Sequence, residues 1–276
     1  MATNTLSAAT LHADAPLRSP VAFRGGGFQP GSHVVLSVTG LAAFLALWQL
    51  AFAMRLVNPV LLPGPVEVAR AFMGLVASGE LALHLAASLY RIAVGFALGA
   101  AGGVALGIAI GLSTVARSIG VPGVNALFPI PKIAIMPILI LWLGIGEAPK
   151  VATIALGVFF PMAVSTFGAI DNVPRNLVRM AQSFGVPFFD VVRKVLLPGA
   201  LPGILSGLRI SASIALLLVV AAEMIGAERG IGAFVMQAGN LMQTDRLLAG
   251  VTVLSILGLL IGMGLARLER ALLAWR

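Results

Sequence analysis

The chain has 276 residues, of which 59% are hydrophobic and only 10% charged, with a mean hydropathy of +1.03. Soluble domains carry about 25% charged residues, so this composition excludes a soluble globular fold and points to an integral membrane protein. The net charge of +8 would suggest nucleic acid in a soluble chain, but in this one the basic residues fall mostly between apolar runs, where they set topology; no nucleic-acid partner is expected.

The chain contains no cysteine, which excludes a disulfide framework, a thiolate metal site and a cysteine nucleophile. Residues 1–33 are polar, with a Gly25-Gly26-Gly27 cluster, and lack the apolar core of a signal peptide. They are expected to be a disordered cytoplasmic tail ahead of an uncleaved first membrane helix. Residues 34–276 then form the transmembrane domain. Uncharged runs such as Val34 to Met54, Ile92 to Ala116, Val151 to Ile170 and Leu247 to Ala266 each reach the ~20 residues that cross a bilayer. Helices are the default in lipid, because an open strand edge finds no partner there. The apolar pattern predicts an all-α membrane protein with about six spans, at 34–54, 88–113, 118–143, 150–170, 203–225 and 247–268.

Residues 55–87 form a connection with Leu62-Pro63-Gly64-Pro65 followed by an amphipathic stretch. The second span carries Gly95, Gly99, Gly103, Gly107 and Gly111 at four-residue spacing, a ridge that lets another helix approach closely. The third span holds Pro122, Pro129, Pro131, Pro137 and Lys132. Prolines kink helices, so this span either lines a pathway or is a kinked packing helix. Lys132 and Arg91 lie near span ends and are expected to snorkel. A turn-rich loop over 226–246 is expected to hold a short helix from Phe234 to Met242.

The one polar island runs from Asp171 to Pro198. Asn172 can cap a helix with Pro174 in its first turn. Leu177, Ala181 and Phe184 share an apolar face, and Gly185 suits the left-handed residue that closes a helix. A second short helix with Phe188, Val191, Val192 and Val195 on one side is expected to stop at Pro198 and Pro202. Helix, glycine turn and helix together present a rigid corner to a soluble partner. With both termini cytoplasmic, the inner segments hold Arg18, Arg24, Arg117, Arg175, Arg179, Arg193, Lys194, Arg267, Arg270 and Arg276. The outer ones hold only Arg55, Arg70, Lys150, Arg229 and Arg246. This bias places the island on the cytoplasmic side.

In the fifth span, Glu223 follows Arg209 by 14 residues, which puts the two about 40° apart around the helix and roughly 21 Å apart along it. This face, with Ser206 and Ser213 near it, either lines a pathway, Arg209 near the inner mouth and Glu223 near the outer, or anchors the helix at both interfaces. His12, His33 and His84 make no metal set, and no nucleophile arrangement supports an intramembrane protease.

The island's spacing resembles the coupling loop of bacterial ABC-importer permeases, E-A-A-x-x-x-G, nine residues, then I-x-L-P. Ala181, Gly185, Val195, Leu197 and Pro198 fall in register, while Arg179 and Met180 replace the opening Glu and Ala. Further phrases extend the resemblance to the nitrate/sulfonate/taurine/bicarbonate branch: Ser88-Leu89-Tyr90-Arg91, Pro129-Ile130-Pro131, Leu141-Trp142-Leu143-Gly144-Ile145-Gly146-Glu147, Phe159-Phe160-Pro161, Ala222-Glu223-Met224-Ile225-Gly226 and Gly230-Ile231-Gly232. The resemblance implies a type I importer permease in the bacterial inner membrane. Its partners would be a second copy of itself, two ABC ATPase subunits and a periplasmic binding protein. ATP and Mg would bind on the ATPase subunits, and this chain would hold no cofactor or catalytic residue; it has no G-x-x-x-x-G-K-[ST] sequence. The cargo implied is an organic sulfonate such as taurine, with nitrate or bicarbonate as alternatives. An ion-coupled secondary transporter would want inverted repeats and paired intramembrane acids. A membrane scaffold without transport is a third class.

Overall fold

The computed structural model describes residues 34–275, so the expected tail over 1–33 lies outside the described residues. The chain divides into two compact units, one ending at Trp48 and one covering Gln49–Arg276. Among the described residues there are helices and no strands. Five helices among these residues are long and apolar enough to cross a membrane, or six if one bent pair counts as a span. They are α1 (Val34–Ala53), α3 (Glu80–Leu112), α6 (Glu147–Asp171), α9 (Leu197–Gly226) with the segment before it, and α11 (Thr244–Leu272). The bent pair is α4 (Thr114–Leu127) with a 3-10 turn over Lys132–Ile135 and α5 (Met136–Leu143). Shorter helices are α2 (Pro65–Ala77), α7 (Arg175–Ser183), α8 (Phe188–Val191) and α10 (Ile231–Asn240).

The glycine ridge of α3 packs on α6, as its spacing predicts. A Cβ added at Gly99 would collide with the Ala155 carbonyl, and one at Gly103 with the Phe159 carbonyl. At Gly107 it would stand 2.5 Å from Thr166 Cβ. With no hydrophobic drive between helices in lipid, such close backbone approach supplies the van der Waals contact that holds them together. Behind the ridge, Ile92, Ala100, Ile154, Val158, Met162, Ala215 and Val219 form the core shared by α3, α6 and α9.

Four expectations need correction. The second span starts at Glu80 rather than at residue 88, because Gly79 in the left-handed conformation begins it more than two turns earlier. The third span is two helices meeting at 87°. The break falls at Pro129 and Pro131, where two missing N–H donors leave the last carbonyls of α4 without helical partners. Lys132, expected to snorkel, instead folds back and is buried: its Nζ donates to the carbonyls of Leu127 (2.8 Å), Phe128 (3.1 Å) and Ile130 (2.7 Å). It also lies 4.5 Å from the centre of the Phe160 ring. The ammonium thus satisfies the carbonyls that the prolines expose. Fourth, Pro198 does not stop a helix. From Phe188 the chain runs as one long helix to Gly226, with a π turn over Val192–Leu196 in which the Leu197 N–H reaches the Val192 carbonyl. The wider turn leaves space for the Pro198 ring and absorbs its missing donor.

Candidate functional site

Opposite ends of the helix bundle carry two distinct polar arrangements. α6 begins at one end with Glu147 and finishes about 36 Å away at Asp171. α3 and α9 are longer still and pack along α6, so the island at Asp171–Pro198 and the loop at Gly226–Gly230 cannot be neighbours.

At the island end, α7 begins after Pro174 and not with Asn172, which closes α6 instead. Proline's fixed φ starts the helix without a side-chain cap. α7 ends as predicted. Gly185 has φ +70, its N–H donates to the Gln182 carbonyl (2.9 Å) and the Val186 N–H donates to the Ala181 carbonyl (3.1 Å). These paired bonds form the Schellman arrangement, which needs a left-handed residue where Gly185 stands. Ala181 is buried under the turn. Met180, Phe184, Phe188 and Phe189 project outward, Phe184 with 79% of its surface exposed. Val195 lies in the π turn, and Leu197 and Pro198 open α9. Arg117 clamps the island's start through a two-pronged pair with Asp171, and Lys194 pairs with Asp190 at 3.1 Å. Arg175, Arg179 and Arg193 are exposed, and no ion pair joins them to another described residue. The corner is therefore apolar at its tip and basic at its rim.

Along α9 toward the other end, the residues expected along a pathway part company. Arg209 is exposed and pairs with Glu269 of α11 at 2.6 Å; Ser213 is exposed on the next turn. Glu223 is 1% exposed, because the Gly226–Gly232 segment folds back across that end of α9. Its carboxylate accepts from Ser88 Oγ (2.8 Å), from the Gly232 N–H (2.8 Å) and from Arg91 Nη1 (2.7 Å). Gly230, with φ +138, stands so close that a Cβ there would strike the Glu223 carboxylate. In this conformation Glu223 faces protein, not an open channel.

Arg91 likewise does not snorkel. It is 2% exposed and every nitrogen is used. Nε and Nη2 grip both oxygens of Glu147 (2.5 and 2.7 Å), while Nη1 bonds Glu223 and the Arg229 carbonyl (2.6 Å). Such a fork is the geometry in which guanidinium and carboxylate bind most strongly. Lys150, one turn into α6, is 5% exposed and reaches Glu147 at 3.3 Å. His84, Ser88 and Arg91 recur at helical spacing and form one polar stripe on α3; His84 Nδ1 accepts from the Gly230 N–H (3.1 Å) and Ser88 Oγ from the Ile231 N–H (2.9 Å). A cavity of about 680 Å³ opens beside Arg91, Glu147 and Lys150. Sequence reasoning missed Ser88, Arg91, Glu147 and Lys150 as a site. The usable signal was Arg91 and Glu223, two opposite charges in apolar helices, each of which needs a partner. Among the described residues no cluster of metal-ligating side chains occurs.

Comparison with known proteins agrees with this architecture. Residues 103–273 match the family described as binding-protein-dependent transport system inner membrane component. The taurine transport system permease protein TauC of Escherichia coli is 38% identical over 248 residues, covering 88% of this chain and 90% of TauC. SsuC of Bacillus subtilis, whose name assigns it to aliphatic sulfonates transport, is 39% identical over 235 residues, with 85% of each chain covered. Among solved structures, an inward-facing form of the MetNI methionine ABC transporter is similar with a TM-score of 0.57 and 26% identity, over 72% of this chain and 97% of that one. The chain belongs to the binding-protein-dependent transport system inner membrane components, as a type I permease subunit of an ABC importer and not an enzyme.

Proposed function

We propose that this permease carries organic sulfonates, taurine or short alkanesulfonates, across the bacterial inner membrane, by alternating access driven by separate ATPase subunits. The observation that carries the cargo is the likeness to TauC and SsuC, which extends over most of the chain. Two copies of the chain form the pore, two ABC ATPase subunits dock beneath it, and a periplasmic binding protein delivers cargo above. ATP and Mg bind on the ATPase subunits. Both termini are cytoplasmic, on the side of the island.

In this reading residues 171–198 are the coupling loop. Gly185 fixes the angle between α7 and the following helix, and Ala181 lets the turn close. Val195, Leu197 and Pro198 tie the corner to α9, so that a push on the corner is delivered to a span that crosses the membrane. Arg179 and Met180 face the ATPase. Because Arg179 stands where the resembling loops carry Glu, the ATPase surface opposite it is acidic or neutral. Arg209 and Ser213 lie on the exposed face of α9 and line the pathway between the two copies. Glu223 acts from behind that wall by holding Arg91.

The cysteine-free sequence permits a direct test. Phe184→Cys or Phe189→Cys in the assembled complex should cross-link to the ATPase subunit, and the yield should change when ATP is added. Cross-linking absent at both positions, with the cysteines reactive only toward lipid-soluble reagents, would place the corner in the bilayer and defeat the assignment.

A further inference from the structure

The buried cluster does more than join helices. Of its two acids, Glu223 is sealed in, with a side chain 0% exposed, whereas that of Glu147 is 49% exposed at the cavity wall. Glu147 takes both free prongs of Arg91 and the ammonium of Lys150. It also stands in the first turn of α6, where the helix dipole favours a negative charge. Its carboxylate thus fills a position built for an oxyanion. If Glu147 swings outward, Arg91, Lys150 and Glu223 sum to +1 +1 −1 = +1, which one monoanion neutralises. Glu228 and Arg229, which also border the cavity, cancel each other.

We infer that this cavity is a binding site for a sulfonate monoanion, and that Glu147 is its tethered stand-in, displaced from Arg91 when cargo enters. A sulfonate presents paired oxygens that match the guanidinium fork as a carboxylate does. The rest of the cavity is suited to a short alkyl tail, since Leu83, Ala86, Ala87 and Ile145 border it. Its volume of about 680 Å³ lies inside the range of about 300–1,000 Å³ typical of small-molecule sites. The site lies at the end of the bundle opposite the coupling loop, where a binding protein would release its load. The inference therefore rests on the importer reading and gives that reading a cargo site within the permease.

The test is equilibrium binding of radiolabelled pentanesulfonate to the full permease–ATPase complex in nanodiscs without binding protein. The site predicts that Glu147→Gln binds at least threefold tighter than the unaltered complex, because the tethered competitor has lost its charge. Lys150→Met should bind at least tenfold more weakly. Ala87→Leu, which fills the tail region, should weaken pentanesulfonate more than methanesulfonate in competition. Binding seen only in Glu147→Gln would also support the site. No binding by either complex, or tightening absent in Glu147→Gln, overturns it. ATPase stimulation by loaded binding protein is measured on the same samples. If stimulation persists while the binding predictions fail, the cavity site falls and the importer reading stands; if stimulation by every loaded binding protein is absent, the importer reading itself falls.

Discussion

Removing the Glu223 carboxylate is the sharpest test of the buried cluster. In Glu223→Ala, Arg91 loses its most deeply buried counter-ion, and Ser88 Oγ and the Gly232 N–H lose their acceptor. Breaking a buried ion pair by deleting one partner costs about 3–5 kcal/mol, and each orphaned donor costs about 1–3 kcal/mol more. Arg91 keeps Glu147 and the Arg229 carbonyl, and Ser88 can rotate, so the lower end applies, about 3 kcal/mol. For a chain of this size 1 kcal/mol moves the unfolding midpoint by about 2–4 °C, so a fall of roughly 6–12 °C is expected for the purified complex in detergent. Arg209→Ala removes a pair that is largely exposed and worth about 0–1 kcal/mol, so its midpoint should stay within about 4 °C of the original. The double variant Arg91→Met/Glu223→Leu should recover part of the loss, since an apolar pair replaces an unpaired charge. If Glu223→Ala melts no lower than Arg209→Ala, Glu223 is not a buried partner of Arg91 and the cluster as described is wrong.

Other changes separate strain, packing and polar satisfaction. Gly103→Val should abolish folded yield, measured by gel-filtration fluorescence, because its Cβ enters the Phe159 carbonyl, whereas Gly74→Ala should be neutral, since nothing lies within 4 Å of it. Gly185→Val has open space around it but needs φ +70, a strain of about 1–2 kcal/mol. It should leave membrane yield intact and lower transport-coupled ATPase, with Gly185→Asn retaining more activity than the valine variant. Lys132→Met leaves three carbonyls without their ammonium, and at about 1.5–3 kcal/mol for a charged hydrogen bond the melting midpoint should fall by at least about 3 °C; an unchanged midpoint would show that the break between α4 and α5 is held by the prolines alone.

Local signals in the sequence carried far. The four-residue glycine spacing of α3 marked the helix that another would approach closely, and Gly185 marked the left-handed turn, because both depend on one residue's own shape. Leu62-Pro63-Gly64-Pro65 leads into α2, with Pro65 at its first turn. What failed was anything decided between distant segments. Arg91 and Lys132 look like span-end cations until partners are found, and those of Arg91 stand 56 and 132 residues away. Helical spacing put Arg209 and Glu223 on one face, yet only Glu223 is covered, because the Gly226–Gly232 segment returns over it. Pro198 reads as a stop signal, and the π turn that accommodates it has no pattern of its own. Asn172 looked like the N-cap of α7, but a proline two residues later starts that helix first.

Sulfonate import stands or falls on ATP hydrolysis by the reconstituted complex, measured with the cognate binding protein empty or loaded with taurine, an alkanesulfonate or nitrate. A sulfonate importer should respond strongly to the binding protein loaded with a sulfonate and little to the empty or nitrate-treated protein. Stimulation by nitrate alone would contradict the sulfonate assignment, and hydrolysis unresponsive to every loaded binding protein would contradict the coupling role of the corner at Asp171–Pro198.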